Sequence, residues 1–310
     1  RRYLTALKLR LLSVRFPADR AASEQQDPLE ELNTFGQLLA ALSTLKLPFV
    51  FETAVHNVGE AIHFYVAAAE ESLEYVMRAI HGLYPDALVE QVDDYTIFDP
   101  RGIMDGAYLK QKEARAVPIR TYAEAKLDTF APVVGAFTRI KTVGEGLALQ
   151  VVVKSAPKFA KRNIESRIKE LKKGETSKEK KGVPAAPPII DEEAIKTLEQ
   201  KVGKQLFAVN VRLVASAATK ERSQSLLESL AAAFAQFSAP KRNSFRIMRP
   251  RNLKSLALEF SFRSWNEQEM LILGTDELVS LFHFPSGSVA EPKVLSVKSR
   301  EAPPPDELPE

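Results

Sequence analysis

The sequence predicts an α+β protein built from two ferredoxin-like (βαββαβ) units in tandem, the second with a long basic insertion in its middle hairpin. Three observations predict it. Apolar residues alternate with a period of two in several short runs and recur at helical spacing between them. The order of these segments occurs twice along 310 residues, a length more than one core usually serves. A stretch rich in lysine and proline separates the two middle strands of the second occurrence.

The first strand lies in "LKLRLLSVRF", where Leu12, Val14 and Phe16 alternate with Ser13 and Arg15. In "DPLEELNTFGQLLAALSTLK", Leu29, Leu32, Phe35, Leu38, Leu39, Leu42 and Leu45 make one helical stripe. Asp27 is its expected N-cap and Pro28 its first-turn residue. "FVFETAVH" and "AIHFYVAA" read as strands joined by a turn at Asn57 and Gly59. "EESLEYVMRAIHGLYP" aligns Leu73, Val76, Met77 and Ile80 on a second helix, ended by Gly82 and Pro85. "ALVEQV" is the fourth strand. Both helices should cover one face of a four-stranded antiparallel sheet.

The second unit places its first strand in "GAYLKQKEARAVPI" and a helix in "DTFAPVVGAFTRI", with Phe130, Val133, Val134, Phe137 and Ile140 inward and Pro132 in the first turn. "GLALQVVVK" is a strand with Leu147, Leu149, Val151 and Val153 on one face. Its hairpin partner is delayed until "LFAVNVRLVA", where Phe207, Val209, Val211 and Leu213 face inward. A long helix carries Leu226, Leu227, Leu230, Phe234 and Phe237, and "SFRIM" is the last strand. The expected domains are 1–100 and 101–250, the insertion falling at about 155–204. Closing helices occupy 251–292, and 293–310 is a proline-rich linker to a further domain.

The insertion is the least globular stretch. "KFAKRNIESRIKELKKGETSKEKKG" holds ten Lys or Arg against four Glu, which is a composition for disorder around 172–183. "VPAAPPII" then reads as an extended linker and "DEEAIKTLEQKVGK" as a short helix.

Composition excludes several functions. Net charge is +3, so any case for nucleic acid must rest on a local patch. The absence of cysteine removes disulfides, thiolate metal sites and a cysteine nucleophile. No run of about 18 apolar residues occurs, so the chain itself reads as soluble. No GxxxxGK[ST], no GxGxxG after a strand, and no HxxxH or HExxH among His56, His63, His81 and His283 is present. No catalytic residue, cofactor site, metal site or small-molecule substrate is expected.

Two groups of residues remain as contact candidates. His63 and Tyr65 alternate with Ile62, Phe64 and Val66, so they face away from the helices, where Arg15 of the first strand could join them. Such a face could stack bases, although the first strand has no matching aromatic. The insertion supplies Lys158, Lys161, Arg162, Arg167, Lys172 and Lys173 for phosphates or anionic lipid heads. A solvated basic helix with interleaved glutamates is the plainer reading. His283, in "LFHFP", reads as a packed histidine beside Phe282 and Phe284, since the nearby Asp276 and Glu277 sit in a helix first turn capped by Thr275.

Along the chain run, in order, "LLSVRFP", "AIHFYVAA" followed by "LYPDALVEQVDDY", "FAVNVRLVASAATKERSQSLLESLAAAFAQFS" followed by "NSF", and "ILGTDELVSLFHFP" running into "KSREAPPPDELP". In these stretches the chain resembles the region that precedes the motor domain in TraG/HerA-like type IV secretion and conjugative transfer ATPases of bacteria. The resemblance implies a membrane anchor upstream and a P-loop motor downstream of these residues. It implies a non-catalytic accessory or assembly region at the cytoplasmic face of the inner membrane. The implied partners are further copies in a motor ring, other secretion-system proteins and DNA. "TDELVSLFHFP" would close the second domain before the motor. The alternative is a free-standing nucleic-acid-binding protein that uses the basic insertion and the Arg15, His63, Tyr65 face.

Overall fold

Strand-period alternation and helix-period stripes fall where the physical pattern places them. In chain order the elements are β1 (Leu9–Pro17), α1 (Pro28–Leu42), β2 (Phe49–Val55), β3 (Ile62–Ala69), α2 (Leu73–Leu83), β4 (Leu88–Val92), β5 (Ile103–Gln111), α3 (Tyr122–Ala125), α4 (Ala131–Phe137) and β6 (Gly146–Ser155). They continue with α5 (Lys158–Lys173), α6 (Glu192–Val202), β7 (Leu206–Ala217), α7 (Lys220–Ala232), β8 (Phe245–Met248), α8 (Leu253–Ser261), β9 (Leu271–Gly274), α9 (Thr275–Leu281) and β10 (Ser296–Val297). The computed structural model describes residues 8–17, 28–173, 191–285 and 293–297. The expected Asp27 cap, the "VPAAPPII" linker and most of the expected disorder at 172–183 lie outside the described residues.

The protein is α+β. The first half orders its strands β4–β1–β3–β2, and the second orders them β8–β5–β7–β6, all antiparallel. The halves, expected as tandem units, share one sheet. β2 and β6 pair antiparallel from Phe49 opposite Val153 to Val55 opposite Leu147. Both strands are buried on both faces from Phe49 to Val55 and from Gly146 to Val153. Two apolar edges of that kind are costly in water, and pairing them removes both.

One core lies under the helical face. Leu12, Val14 and Phe16 of β1 and Phe207, Val209, Val211 and Leu213 of β7 meet stripes from α1, α2, α4, α7 and α9 in a single apolar cluster. The closing segment is therefore not a lid on the second half alone. α9 packs on α1 of the first half and on α3 of the second. Phe282 stacks on Phe51 at 5.2 Å and meets Phe130 at 5.1 Å, one ring from each half. A strand, β9, precedes α9 and pairs with the Leu206–Val209 end of β7, where only helices were expected. The N-cap of α9 is Gly274, not Thr275, and the Glu277 carboxylate accepts the Gly274 N–H at 2.7 Å.

The second face of the sheet is covered too. Leu11, Val50, Ala54, Ala148, Val152 and Val214 pack against Phe260 of α8 and Ile97 of the segment after β4. The cover is close. A Cβ on Gly146 would stand 2.1 Å from the Ile97 carbonyl oxygen, so only glycine fits there. The insertion also belongs to this layer. Ile164 and Ile168 of α5 pack with Ile195 and Leu198 of α6 and with Leu206 of β7. Its apolar residues recur at helical spacing, which outweighs the basic composition over 158–173.

At the far end, Lys293–Val297 lies on the sheet. The carbonyl of Lys293 accepts the Ile62 N–H at 2.7 Å, and Ser296 and Val297 pair parallel with Phe16 and Pro17. The expected linker is thus, over 293–297, part of the sheet.

Candidate functional site

Helix α5 carries the exposed charge. Its apolar side is fixed by Ala160, Ile164 and Ile168, so Lys158, Lys161, Arg162, Arg167, Lys172 and Lys173 all stand exposed. Over Lys158–Lys173 it has seven basic residues against Glu165 and Glu170. Two of the basic residues are paired: Arg167 with Glu170 at 3.0 Å, and Lys172 with Glu199 of α6 at 2.8 Å. Between α5 and the 114–116 loop runs a groove of about 420 Å³. Ala160, Ile164 and Ile272 are on its apolar part, and Arg115, Asn163, Ser166, Arg167 and Glu170 on its polar part. Phe159 lines it and is 47% exposed. Neither this groove nor Phe159 was singled out in the sequence, because its second wall comes from the distant turn after β5.

The other expected surface is occupied by the protein's own rings. Arg15, His63 and Tyr65 do share the second face of the sheet, but Tyr65 is 4% exposed. Tyr95 stacks on Tyr65 at 4.7 Å and 11°, and His56 stacks on His63 at 4.1 Å and 7°. The Tyr65 hydroxyl lies 2.8 Å from His56 Nε2. Arg15 meets the Glu90 carboxylate of β4. Burial first, then the charges of His56 and Arg15, pushes His63 down to about 4, so the ring is neutral near pH 7. Tyr65 is therefore a core ring with the half-buried Tyr95 packed on it, and the expected base-stacking platform is covered there.

A buried ionic layer continues from these rings across the sheet. Glu52 of β2, Gln150 of β6 and Arg212 of β7 are direct cross-strand neighbours, each fully buried. Gln150 donates to Glu52 at 2.7 Å and accepts from Arg212 at 2.9 Å. Arg212 also donates to Glu269 at 3.1 Å and to the Ser264 carbonyl at 2.8 Å. Arg263 lies 3.0 Å from Glu52 and 2.7 Å from Asp94. Burial opposes charge on Arg263, but Glu52 and Asp94 hold its pKa above the usual value. Burial raises the Glu269 carboxyl against the opposing pull of Arg212. Every member faces another, which makes the layer a clamp between sheet and cover.

Two further buried pairs join distant parts of the chain. Lys201 of α6 meets Glu277 of α9 at 3.0 Å and donates to the Arg115 and Ile272 carbonyls. Burial lowers the Lys201 pKa. Glu277, expected as a helix-dipole acid, is thus a buried partner of the insertion. His283 is 2% exposed, with Nε2 3.0 Å from Asp128 and Nδ1 2.6 Å from the Phe284 carbonyl. Asp128 in turn accepts the N–H of Phe130 and Ala131 at the start of α4. The packed reading of His283 fits this geometry, and its acid partner is 155 residues away in sequence.

Among the described residues no group of three or more His, Cys, Asp or Glu could hold a metal ion, and no helix is long and apolar enough to cross a membrane. The fold and the surface together define an α+β sheet domain, sealed on both faces, that presents a basic helix and groove. The chain belongs to the family described as a domain of unknown function, DUF8128, whose model matches residues 42–296. No curated protein matches the sequence.

Proposed function

We propose that this chain is a non-catalytic accessory and assembly region of a membrane-associated bacterial type IV secretion or conjugative DNA-transfer ATPase, acting at the cytoplasmic face of the inner membrane. In this reading the P-loop motor and the membrane anchor belong to other parts of the same protein. Each half is a ferredoxin-like unit, a reading supported by its β4–β1–β3–β2 or β8–β5–β7–β6 order with the connecting helices on one face. The resembling stretches "LLSVRFP", "AIHFYVAA" and "FAVNVRLVA" form β1, β3 and β7 of the shared sheet.

The observation that carries the assembly reading is the pair of outer edges. Among the described residues, β4 and β8 each have a strand on one side only. On and beside β4 stand Glu90, paired with Arg15, Asp94, paired with Arg263, and Asp93, which has no ion-pair partner among the described residues; on and beside β8 stand Arg246, Arg251 and Arg249, the last paired with Asp105 at 2.6 Å. Arg246 is directly opposite Lys110 of β5, and neither has an ion-pair partner among the described residues. Like charges placed opposite each other at an open edge favour an anionic neighbour. The acidic edge of a second copy supplies one, and head-to-tail contact of this kind closes a ring where the rotation between copies closes.

The test is the solution mass of the chain against protein concentration at low and high salt. Association that weakens with salt, is lost in Arg246→Glu and in Asp93→Lys separately, and returns when these two variants are mixed supports the reading. A monomer at every concentration and salt removes the assembly role. A parent reading frame without a GxxxxGK[ST] motif after this region removes the ATPase assignment.

A further inference from the structure

We propose that the groove between α5 and the 114–116 loop binds a single-stranded nucleic acid, with Phe159 as the stacking platform and Arg115 and Arg167 as phosphate contacts. The inference goes beyond the assembly reading and does not depend on it. Its ground is the combination of an exposed aromatic, two guanidiniums and a concave wall at one place.

Phe159 is 47% exposed beside the charged residues of α5 and lines the groove, so about half of its surface is free to meet a ligand. An unstacked base offers that ring a flat apolar partner. Arg115 and Arg167 stand on opposite walls of the groove. Arg167 is held by Glu170 at 3.0 Å, whereas Arg115 has no side-chain partner among the described residues. Asn163 and Ser166 of α5 also line the groove without side-chain partners among the described residues, and can exchange hydrogen bonds with a base edge or a sugar. Beyond the groove lip, Lys158, Arg162, Lys169 and Lys173 continue the positive field along the outer side of α5. Helical spacing puts these four on the flank next to Phe159.

A strand suits the site better than two other polyanions. A bilayer surface is flat and meets a protruding ridge, whereas Phe159 and Arg115 line a concavity. A duplex keeps its bases stacked on each other and offers no free face to a phenylalanine.

The experiment is fluorescence anisotropy of a labelled oligothymidine of about 15 nucleotides against the full chain, with salt as the variable. We expect binding that falls steeply with salt. Phe159→Ala should weaken it about tenfold, and Arg115→Glu should abolish it. All the substituted side chains are exposed, so the melting temperature should not move. Arg78→Glu, on the distant α2, should change affinity less than twofold, which separates the site from general charge. Absence of binding at low salt overturns the proposal, as does equal binding by Phe159→Ala, Arg115→Glu and Arg78→Glu. Vesicles of phosphatidylserine that bind the chain, and lose it through the same substitutions while the oligonucleotide does not bind, assign the surface to a membrane instead. Strand binding by a monomer would remove only the assembly reading, and ring formation without strand binding would remove only this one.

Discussion

Gln150 of β6 donates its side-chain amide to Glu52 of β2 at 2.7 Å, across the one strand pair that joins the two halves of the sheet. Neither residue is exposed, and each is held from the cover side as well, Glu52 by Arg263 and Gln150 by the Phe260 carbonyl, which accepts from its amide at 2.8 Å. A polar pair at this place fixes the register of β2 against β6, because a shift by one residue would put the two side chains on opposite faces of the sheet, one of them in the apolar core.

Arg212 is the strongest test of this layer. Arg212→Met removes one cation and leaves Glu259, Glu269 and Gln150 buried with reduced pairing. The expected loss is about 3–5 kcal/mol, read as a lower denaturant midpoint. A loss below about 1 kcal/mol would mean that water reaches the layer.

Lys201→Met should destabilise the protein and also loosen the insertion. Glu277 would keep the backbone N–H of Ile119 and Gly274 but lose its counter-ion. The expected cost is about 3 kcal/mol, with faster hydrogen exchange in α5 and α6 than in β6. Uniform exchange across all three would show that the insertion does not open as a unit.

His63 gives the chain an acid-sensitive step. Its pKa is lowered in the fold to about 4, so the unfolded state binds its proton first as pH falls. Its contribution to stability is therefore whole above about pH 6.5 and declines as pH drops toward 4. Stability measured from pH 7 to pH 4 should fall less steeply in His63→Gln than in the unaltered chain. Equal slopes would place the acid sensitivity elsewhere.

Gly146→Ala has no room for its methyl beneath the Ile97 carbonyl. It should destabilise by more than about 2 kcal/mol and expose the cover segment 93–98 to proteolysis. Gly59→Ala, with open space around it, is the matched control and should cost less than about 1 kcal/mol.

Phe282→Ala should cost about 3–5 kcal/mol, since the ring touches Phe51 and Phe130 from the two halves. Both halves should melt in one transition, before and after the substitution. Two separated transitions would show that the shared core does not couple them.

The helical face was legible because one pattern recorded it. Residues such as Leu12, Val14 and Phe16, or Leu226, Leu227 and Leu230, repeat at the period of their own element, and burial on one side is enough to produce that repeat. The second face was hidden. Glu52, Gln150 and Arg212 are polar residues with no local signal of burial, and only partners 43 to 211 residues away make them buried. The same holds for Tyr65, whose outward direction was correctly read but whose covering ring, Tyr95, comes from beyond β4. The basic charge of α5 was evident, whereas the groove beside it depends on where the turn after β5 comes to rest.

The amino-acid order by itself determined the strands and helices of the two repeated units, their succession and the side of each that faces the helical core, because those properties depend on neighbours within a few residues; the strand β9 was not among them. The tertiary structure alone decided that the two halves share one sheet, that both faces are sealed, and that a basic groove stands open while the ring-lined face is closed. Those outcomes rest on contacts between residues far apart in the chain, whose desolvation and pairing energies no local pattern encodes.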